Sequence, residues 1–332
     1  MCINIINGCS RGIKTILLEA SEAIGDTVWD CYHLTALRLN FPDATIKQII
    51  RNNRWAKDVL IPPKLNIQFV QPGSPESEDW DFRLSYIVHE SYYQFKGHEP
   101  VKFPPLVIYR HQNPDNLSPM RAVPMIYAQF RNAFPGFKIP ERPIMPDIAP
   151  YQDFPSGLKT QPLVTINTGS GRQQKEYPIE QWEAVAEGLY AHGFNIIYVG
   201  GAKDPKPQYK SENVINLVGE VDLRTTIALI RASAVHLAAD TGTGHIAGAY
   251  RIPVVSLFGY YSYPAIGAPF GDDTIIRVLE SHKGKEQPNP CMPPQDVIAA
   301  TQSLHRFHTL RQRLEPQQTL KIISARSGQL AP

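Results

Sequence analysis

Beyond residue 160 the chain alternates short apolar runs with helical stretches, and that alternation leaves very few folds open. PLVTIN (162–167), FNIIYVGG (194–201), VINLVGE (214–220), AVHLAAD (234–240), PVVSLFG (253–259) and DTIIRVL (273–279) have the length and composition of strands. Among them PIEQWEAVAEGLYAHG (178–193), LRTTIALIRAS (223–233) and HIAGAYR (245–251) read as helices. The first opens near Pro178 and closes on Gly193, the asymmetry that helix ends favour. Strands and helices in turn, with connections of a few residues, build a parallel sheet with helices on both faces, a doubly wound α/β domain. A terminal helix is expected over 294–314.

A similar unit opens the chain. TILLEA (15–20) is a strand and SEAIGD a polar turn. A helical pattern of Val28, Cys31, Leu34, Leu37 and Leu39 follows, interleaved with Asp30, His33 and Arg38. Phe41-Pro42-Asp43 stops it, and ATIKQII (44–50) is the next strand. With 332 residues the chain is long enough for two domains at ~150 residues each. From Pro104 to Pro162 prolines recur every few residues, a density that regular helices and central strands do not tolerate. One helix is expected there, near 121–133, with the remainder in loops. The expected division is 1–155 and 156–332.

A net charge of +2 gives no reason to expect a nucleic-acid partner. No run of about 18 apolar residues predicts a membrane span, and the N-terminus lacks the pattern of a secretion signal. Cys2, Cys9, Cys31 and Cys291 form no CxxC pair, so reduced thiols in a cytoplasmic protein are expected, with no zinc site or disulfide framework. In that setting the sequon Asn116-Leu117-Ser118 is accidental.

Ligands of parallel α/β sheets bind beyond the carboxyl ends of strands. Three polar, glycine-bearing turns lie there: 21–27, 168–175 and 240–245. The third, DTGTGH, begins a helix, whose unpaired N–H groups and partial positive charge suit a phosphate or diphosphate. Gly242 and Gly244 would let such a ligand approach the backbone, or would serve only a tight turn, with Asp240 as a helix cap. GTGHIAG is a poor dinucleotide fingerprint, with its third glycine one position late and its place after a late strand. GSGRQQK lacks the Lys-Ser/Thr pair of a P-loop.

Four segments in order resemble the heptosyltransferases, glycosyltransferase family nine. DTGTGHIAGAYRIPVVSLFG (240–259) resembles the family hallmark, and INTGSGRQQKEYPIEQW (166–182) its lysine-bearing loop and helix. EAIGDTVWDCYHLTALRLNFPDATI (22–46) is similar to its Gly-Asp-led helix and the following strand. CMPPQDVIAA (291–300) resembles its late Cys-Met and helix start. The resemblance covers roughly 15–60 and 160–305.

The resemblance implies a GT-B fold, two Rossmann-like doubly wound domains facing across a cleft. It also implies an inverting transferase that needs neither cofactor nor metal. The donor would be a nucleoside-diphosphate sugar, ADP-heptose by the family's habit, and the acceptor a saccharide or lipopolysaccharide core. The setting would be cytoplasmic, open to peripheral contact with the inner membrane face. Asp26, after Gly25 in the acceptor half, matches the catalytic base, although an aspartate there would also suit a helix N-cap. Lys175 matches the lysine that meets phosphate; a solvated surface lysine is the alternative. Ser170 and Gly171 precede it in the turn, and Asp240, Thr241, Gly242, Thr243, Gly244 and His245 match the donor hallmark. His245 is open to a phosphate contact or to a hydrogen bond near strand 253–258. Lys203 and Asp204 stand where a ribose-gripping glutamate is expected, which leaves donor identity open. The tyrosines of HESYYQFKGHEP (89–100) could stack on sugars or simply pack. Competing readings are a non-catalytic sugar-nucleotide binder of the same fold, a GT-B sugar-nucleotide epimerase, and a nicotinamide oxidoreductase.

Overall fold

The computed structural model describes residues 12–20, 22–52, 54–87, 90–103, 122–154, 158 and 161–327. The first sheet comprises β1 (Thr15–Ala20), β2 (Thr45–Ile49), β3 (Ile67–Val70), β4 (Phe82–Ile87), β5 (Glu90–Phe95) and β6 (Val101–Phe103). Helices α1 (Ile24–Asn40) and α2 (Arg54–Leu60) make its crossovers, and α3 (Ala122–Ala133) follows. Its order is β3-β2-β1-β4-β5-β6, parallel from β3 to β4 and antiparallel at β4/β5 and β5/β6. The second sheet comprises β7 (Leu163–Asn167), β8 (Asn195–Val199), β9 (Val214–Asn216), β10 (Val235–Ala239), β11 (Val254–Phe258) and β12 (Ile276–Glu280). Helices α4 (Ile179–Ala191), α5 (Leu223–Ala232), α6 (Gly242–Ala249) and α7 (Pro294–Ser327) accompany it. Its order, β12-β11-β10-β7-β8-β9, is parallel throughout, the doubly wound topology that the alternation predicts.

Three expectations need correction. The antiparallel strands β5 and β6 lie in a stretch with no expected sheet structure; cross-strand packing of Phe82 with Tyr93 and Phe95 holds the hairpin there. Helix α6 starts at Gly242, not at His245, and α7 runs on to Ser327. Asp30 and His33, read as polar partners of an apolar face, are fully buried along with the whole run Thr27–Leu37. The reason is that α1 is covered from two sides, by the first sheet and by α6, so it has no solvent face in its middle. Cys31 and Cys291 are free thiols. Cys2, Cys9, the sequon and the prolines from Pro104 to Pro119 lie outside the described residues.

One apolar core joins the two sheets. Val28, Tyr32 and Phe130 of the first half belong to the same cluster as Ile227, Ile230, Ile246 and Val254 of the second. A second cluster, with Ile166, Trp182, Tyr198, Leu237, Val297 and Leu304, packs α4 and α7 onto the second sheet. Among the described residues no helix is long and apolar enough to cross a membrane.

Two histidines are sealed in these cores. His33 in α1 and His236 in β10 are 0% exposed, and burial pushes each down to about 3. The folded chain therefore refuses protons that the unfolded chain binds near pH 6.5, so stability is complete above that pH and declines below it. Each such histidine contributes a slope of up to about 1.4 kcal/mol per pH unit below its unfolded pKa. The urea midpoint should fall from pH 7 to pH 5, and His236→Asn should show a shallower fall than the wild type.

Candidate functional site

The site begins with topology. In the second sheet the strand order reverses between β7 and β10, where Asn167, the last residue of β7, is in register with Ala238, one residue before the end of β10. The turns 168–175 and 240–241 leave these two strands, so both open at the switch point where doubly wound sheets bind ligands. In the first sheet the reversal falls between β1 and β4, and the turn to Asp26 leaves β1. Each sheet thus presents its reversal point through a helix N-terminus, α1 on one side and α6 on the other.

The two helix ends touch. A β-carbon on Gly242 would stand 2.6 Å from Ile24 Cγ2 and 2.9 Å from the Gly25 nitrogen. One on Gly25 would stand 2.7 Å from His245 Cδ2. Both glycines are required for this approach, so the closeness that Gly242 permits is to α1. Gly244 faces Ala238, Ser256 and Pro269 at ordinary contact distances, on the strand side of α6.

His245 anchors the contact. The Trp29 indole Nε1 donates to its Nδ1 at 3.3 Å, with the rings edge to face at 5.1 Å. The histidine's partner is therefore α1, not the 253–258 strand. Burial pushes its pKa down to about 4; the Asp240 carboxylate opposes the shift and Lys175 adds to it. A neutral imidazole that accepts at Nδ1 carries its proton on Nε2. That nitrogen lies 3.3 Å from the β-carbon position of Gly25, so an N–H donor stands beside the first turn of α1.

Asp26 is half-buried in that first turn, three residues after the N-cap position Ala23, so it is not the N-cap. Lys175 is not a solvated lysine either: its Nζ pairs with Asp240 Oδ2 at 2.5 Å, with both side chains largely covered. Asp240 does not cap α6, whose N-cap position is Thr241 and whose N-cap side chain accepts no hydrogen bond from the first amides. Thr243 is buried and its hydroxyl donates to Asn167 Oδ1 at 2.8 Å. Ser170 Oγ accepts from the Arg172 amide, and Gly171 is exposed with open space around it. The abutment thus sets Gly25, in the first turn that carries Asp26, against Gly242 and His245, and the Lys175–Asp240 pair acts on His245. Thr243 and Gly244 lie on the strand side of α6, and Ser170 and Gly171 lie in the loop after β7.

Sequence reading did not single out Trp29, Asn167 or Gly169. A β-carbon on Gly169 would meet Asp204 Cγ at 2.1 Å, so this glycine makes room for that carboxylate. Asp204 accepts from the Gly201 amide at 2.8 Å; burial raises its pKa, against the amide and Asn167 hydrogen bonds. It is tucked between β7 and β8, while Lys203 is exposed. Asn289 donates to the Gln173 and Glu176 carbonyls and Tyr177 to that of Met292, so the 289–292 segment fixes the Lys175 loop. Tyr93 of the tyrosine-rich stretch is buried in the core, and the Arg83 guanidinium lies over Tyr92.

Solved structures share this arrangement and define it as GT-B, two Rossmann-like domains. A glycosyltransferase family 9 structure from Veillonella parvula matches with a TM-score of 0.60 at 16% identity, over 88% of this chain and 97% of that one. ADP-heptose LPS heptosyltransferase II of E. coli matches at 0.56 and 16% identity, over 89% and 100%. The iron-containing dodecameric glycosyltransferase TibC from enterotoxigenic E. coli H10407 matches at 0.54 and 17%, over 82% and 66%. The family model for glycosyltransferase family 9 (heptosyltransferase) matches residues 126–295, just over half of the chain. The chain belongs to that family. Lipopolysaccharide core heptosyltransferase OpsX of Haemophilus influenzae is 26% identical over 133 residues, 38% of this chain and 38% of that protein. Lipooligosaccharide heptosyltransferase 2 of the same organism is 31% identical over 116 residues, 32% of this chain and 33% of that protein. The matches thus span about a third of the length of these curated relatives. The family match includes Lys175 and Asp240–His245 and does not reach Asp26.

The glycine contacts make a direct prediction. Gly242→Ala forces a methyl into Ile24 and the Gly25 backbone, an overpacking worth about 1–3 kcal/mol. Calorimetry should show a thermal midpoint several degrees lower, while Gly171→Ala, with nothing nearby, stays close to the wild type.

Proposed function

We propose that this chain is an inverting, metal-independent glycosyltransferase. It would move a heptose from an ADP-linked donor to a saccharide acceptor of the lipopolysaccharide-core kind. The observation that supports the reading is the abutment of α1, whose first turn carries Asp26, on α6 at His245, on which the Lys175–Asp240 pair acts. The family and the activities named for its relatives support the donor and acceptor classes. Residues 1–155 would bind the acceptor and 156–332 the donor, at the face of the inner membrane.

In this reaction the Asp26 carboxylate takes the acceptor hydroxyl proton as that oxygen attacks the anomeric carbon. The new C–O bond forms on the face opposite the diphosphate, the bond to the phosphate oxygen breaks, and the configuration inverts. The leaving diphosphate carries the electron pair away. Lys175 and the uncapped amides of α6 offset its charge, and the Nε2–H of His245 adds a donor beside Asp26. Ser170 and Gly171 would offer further main-chain amides. Donor phosphates compete with Asp240 for Lys175, so the 2.5 Å ion pair keeps the ammonium placed until the donor arrives. Asp204, held inward by Gly201 and Asn167, is not presented to a ribose, and nucleotide selectivity must come from other groups.

The test is Asp26→Asn. Transfer of heptose from ADP-heptose should fall by about 10²–10⁴-fold while ADP binding, measured by calorimetry, stays intact. Lys175→Met should instead weaken ADP binding. Retained transfer in Asp26→Asn would remove the carboxylate from the mechanism, and its loss together with ADP binding would point to a structural role. Activity should survive exhaustive chelation; a loss restored by iron or magnesium would replace the metal-free mechanism.

A further inference from the structure

One turn below Asp26 lies a buried ion pair that the proposed reaction does not use. Asp30 follows Asp26 by four residues, so the two share a face of α1 at roughly 6 Å. Asp30 and Lys57 have fully buried side chains and pair at 2.7 Å. Gln48 Nε2 donates to the same Asp30 Oδ2 at 2.6 Å, and the Tyr86 hydroxyl donates to Oδ1. Tyr86 has one proton and spends it on Asp30. The neutral His33, whose Nδ1 lies 3.0 Å from that hydroxyl, is therefore the N–H donor to it. Gln48 Oε1 and His33 Nε2 remain buried without a partner. Apolar residues of similar volume commonly match or exceed the stability of such a pair, so stability alone does not account for it.

The pair is oriented. Oδ2 faces Lys57 on α2 and Gln48 on β2, whereas Oδ1 faces Tyr86 on β4. Burial, then the Asp30 charge and hydrogen bond, then the Asp26 charge all push the Tyr86 hydroxyl up. Both carboxylates therefore act on Tyr86, and Lys57 stands on the far side of Asp30.

A carboxylate in the first turn of a helix is a weak base, because the free amides and the helix dipole favour its anion. A fixed negative charge four residues on opposes that effect. We propose that Asp30, clamped by Lys57, Gln48 and Tyr86, is a positioning residue whose buried charge raises the proton affinity of Asp26. Among the described residues, the titratable groups on the elements next to the first turn of α1 include Glu22, His33 and Tyr86, then His245 with Asp240 and Lys175 behind it. Glu22 is spent on the amides of Arg51 and Asn52 at the surface, and His33 and His245 are neutral.

The role in catalysis rests on the reading of Asp26 as the base; the charge coupling does not. Both are tested on the full chain labelled with carbon-13 aspartate, with the Asp26 carboxyl resonance identified by its absence in Asp26→Asn. Asp30→Asn should lower the Asp26 titration midpoint by about half a pH unit or more, and Lys57→Met should raise it by a similar amount. The acid limb of kcat/KM for transfer should shift the same way in each variant. Shifts of the same sign in both folded variants, or none, overturn the proposal. If a single variant does not fold, Asp30→Asn/Lys57→Met leaves no unpaired buried charge and should lower the midpoint; an unchanged or raised value overturns it. Opposite shifts in a wild-type background without transfer would keep the coupling and remove the base.

Discussion

The structure depends on the abutment of two helix N-termini, α1 from the first sheet and α6 from the second. Two ends of like partial charge do not attract, so the contact needs another source of stability. Ile24 fills the space above Gly242, Gly25 makes room for the His245 ring, and Trp29 donates to that ring. Around these, apolar residues of both halves pack as one cluster. The helix ends stay next to each other because their flanks are glued, and the polar crevice between them is a by-product of that packing. Removing the Trp29 donor would leave a buried imidazole nitrogen unpaired, at a cost of about 1–3 kcal/mol.

Charges around the abutment come in couples, Lys175 with Asp240 after the second sheet's strands and Lys57 with Asp30 beneath the first turn of α1. The difference is depth. The first couple is partly open to solvent and can exchange partners when an anion enters. The second is sealed and can act only through its field. This separates groups that would bind a ligand from groups that tune the ones that do.

Much of this was legible in the sequence. The strands of the second sheet, α4 and α5 follow from apolar runs bounded by glycine and proline, because a parallel sheet buries both faces and advertises itself as unbroken hydrophobicity. The turns at 168–175 and 240–245 follow from their position after such strands. What was not legible depended on partners distant in sequence. Asp30 and His33 look like a wet helix face until Lys57, Gln48 and Tyr86 arrive from three other elements. Trp29 and His245 are 216 residues apart, and nothing local marks them as a pair. The start of α6 at Gly242 was hidden because glycine argues against helix locally, whereas the demand for close packing against Ile24 selects it there.

The shared apolar cluster has a consequence for how such a protein can be built. Ile227, Ile230 and Ile246 lie against residues of the opposite half, so neither half ends in a surface suited to water. A shuffled gene that joined the second half to a foreign first half would have to match the notch at Gly242 and the close approach at Gly25. The two halves therefore fit as matched partners, and a change of shape on one side of the abutment demands a matching change on the other.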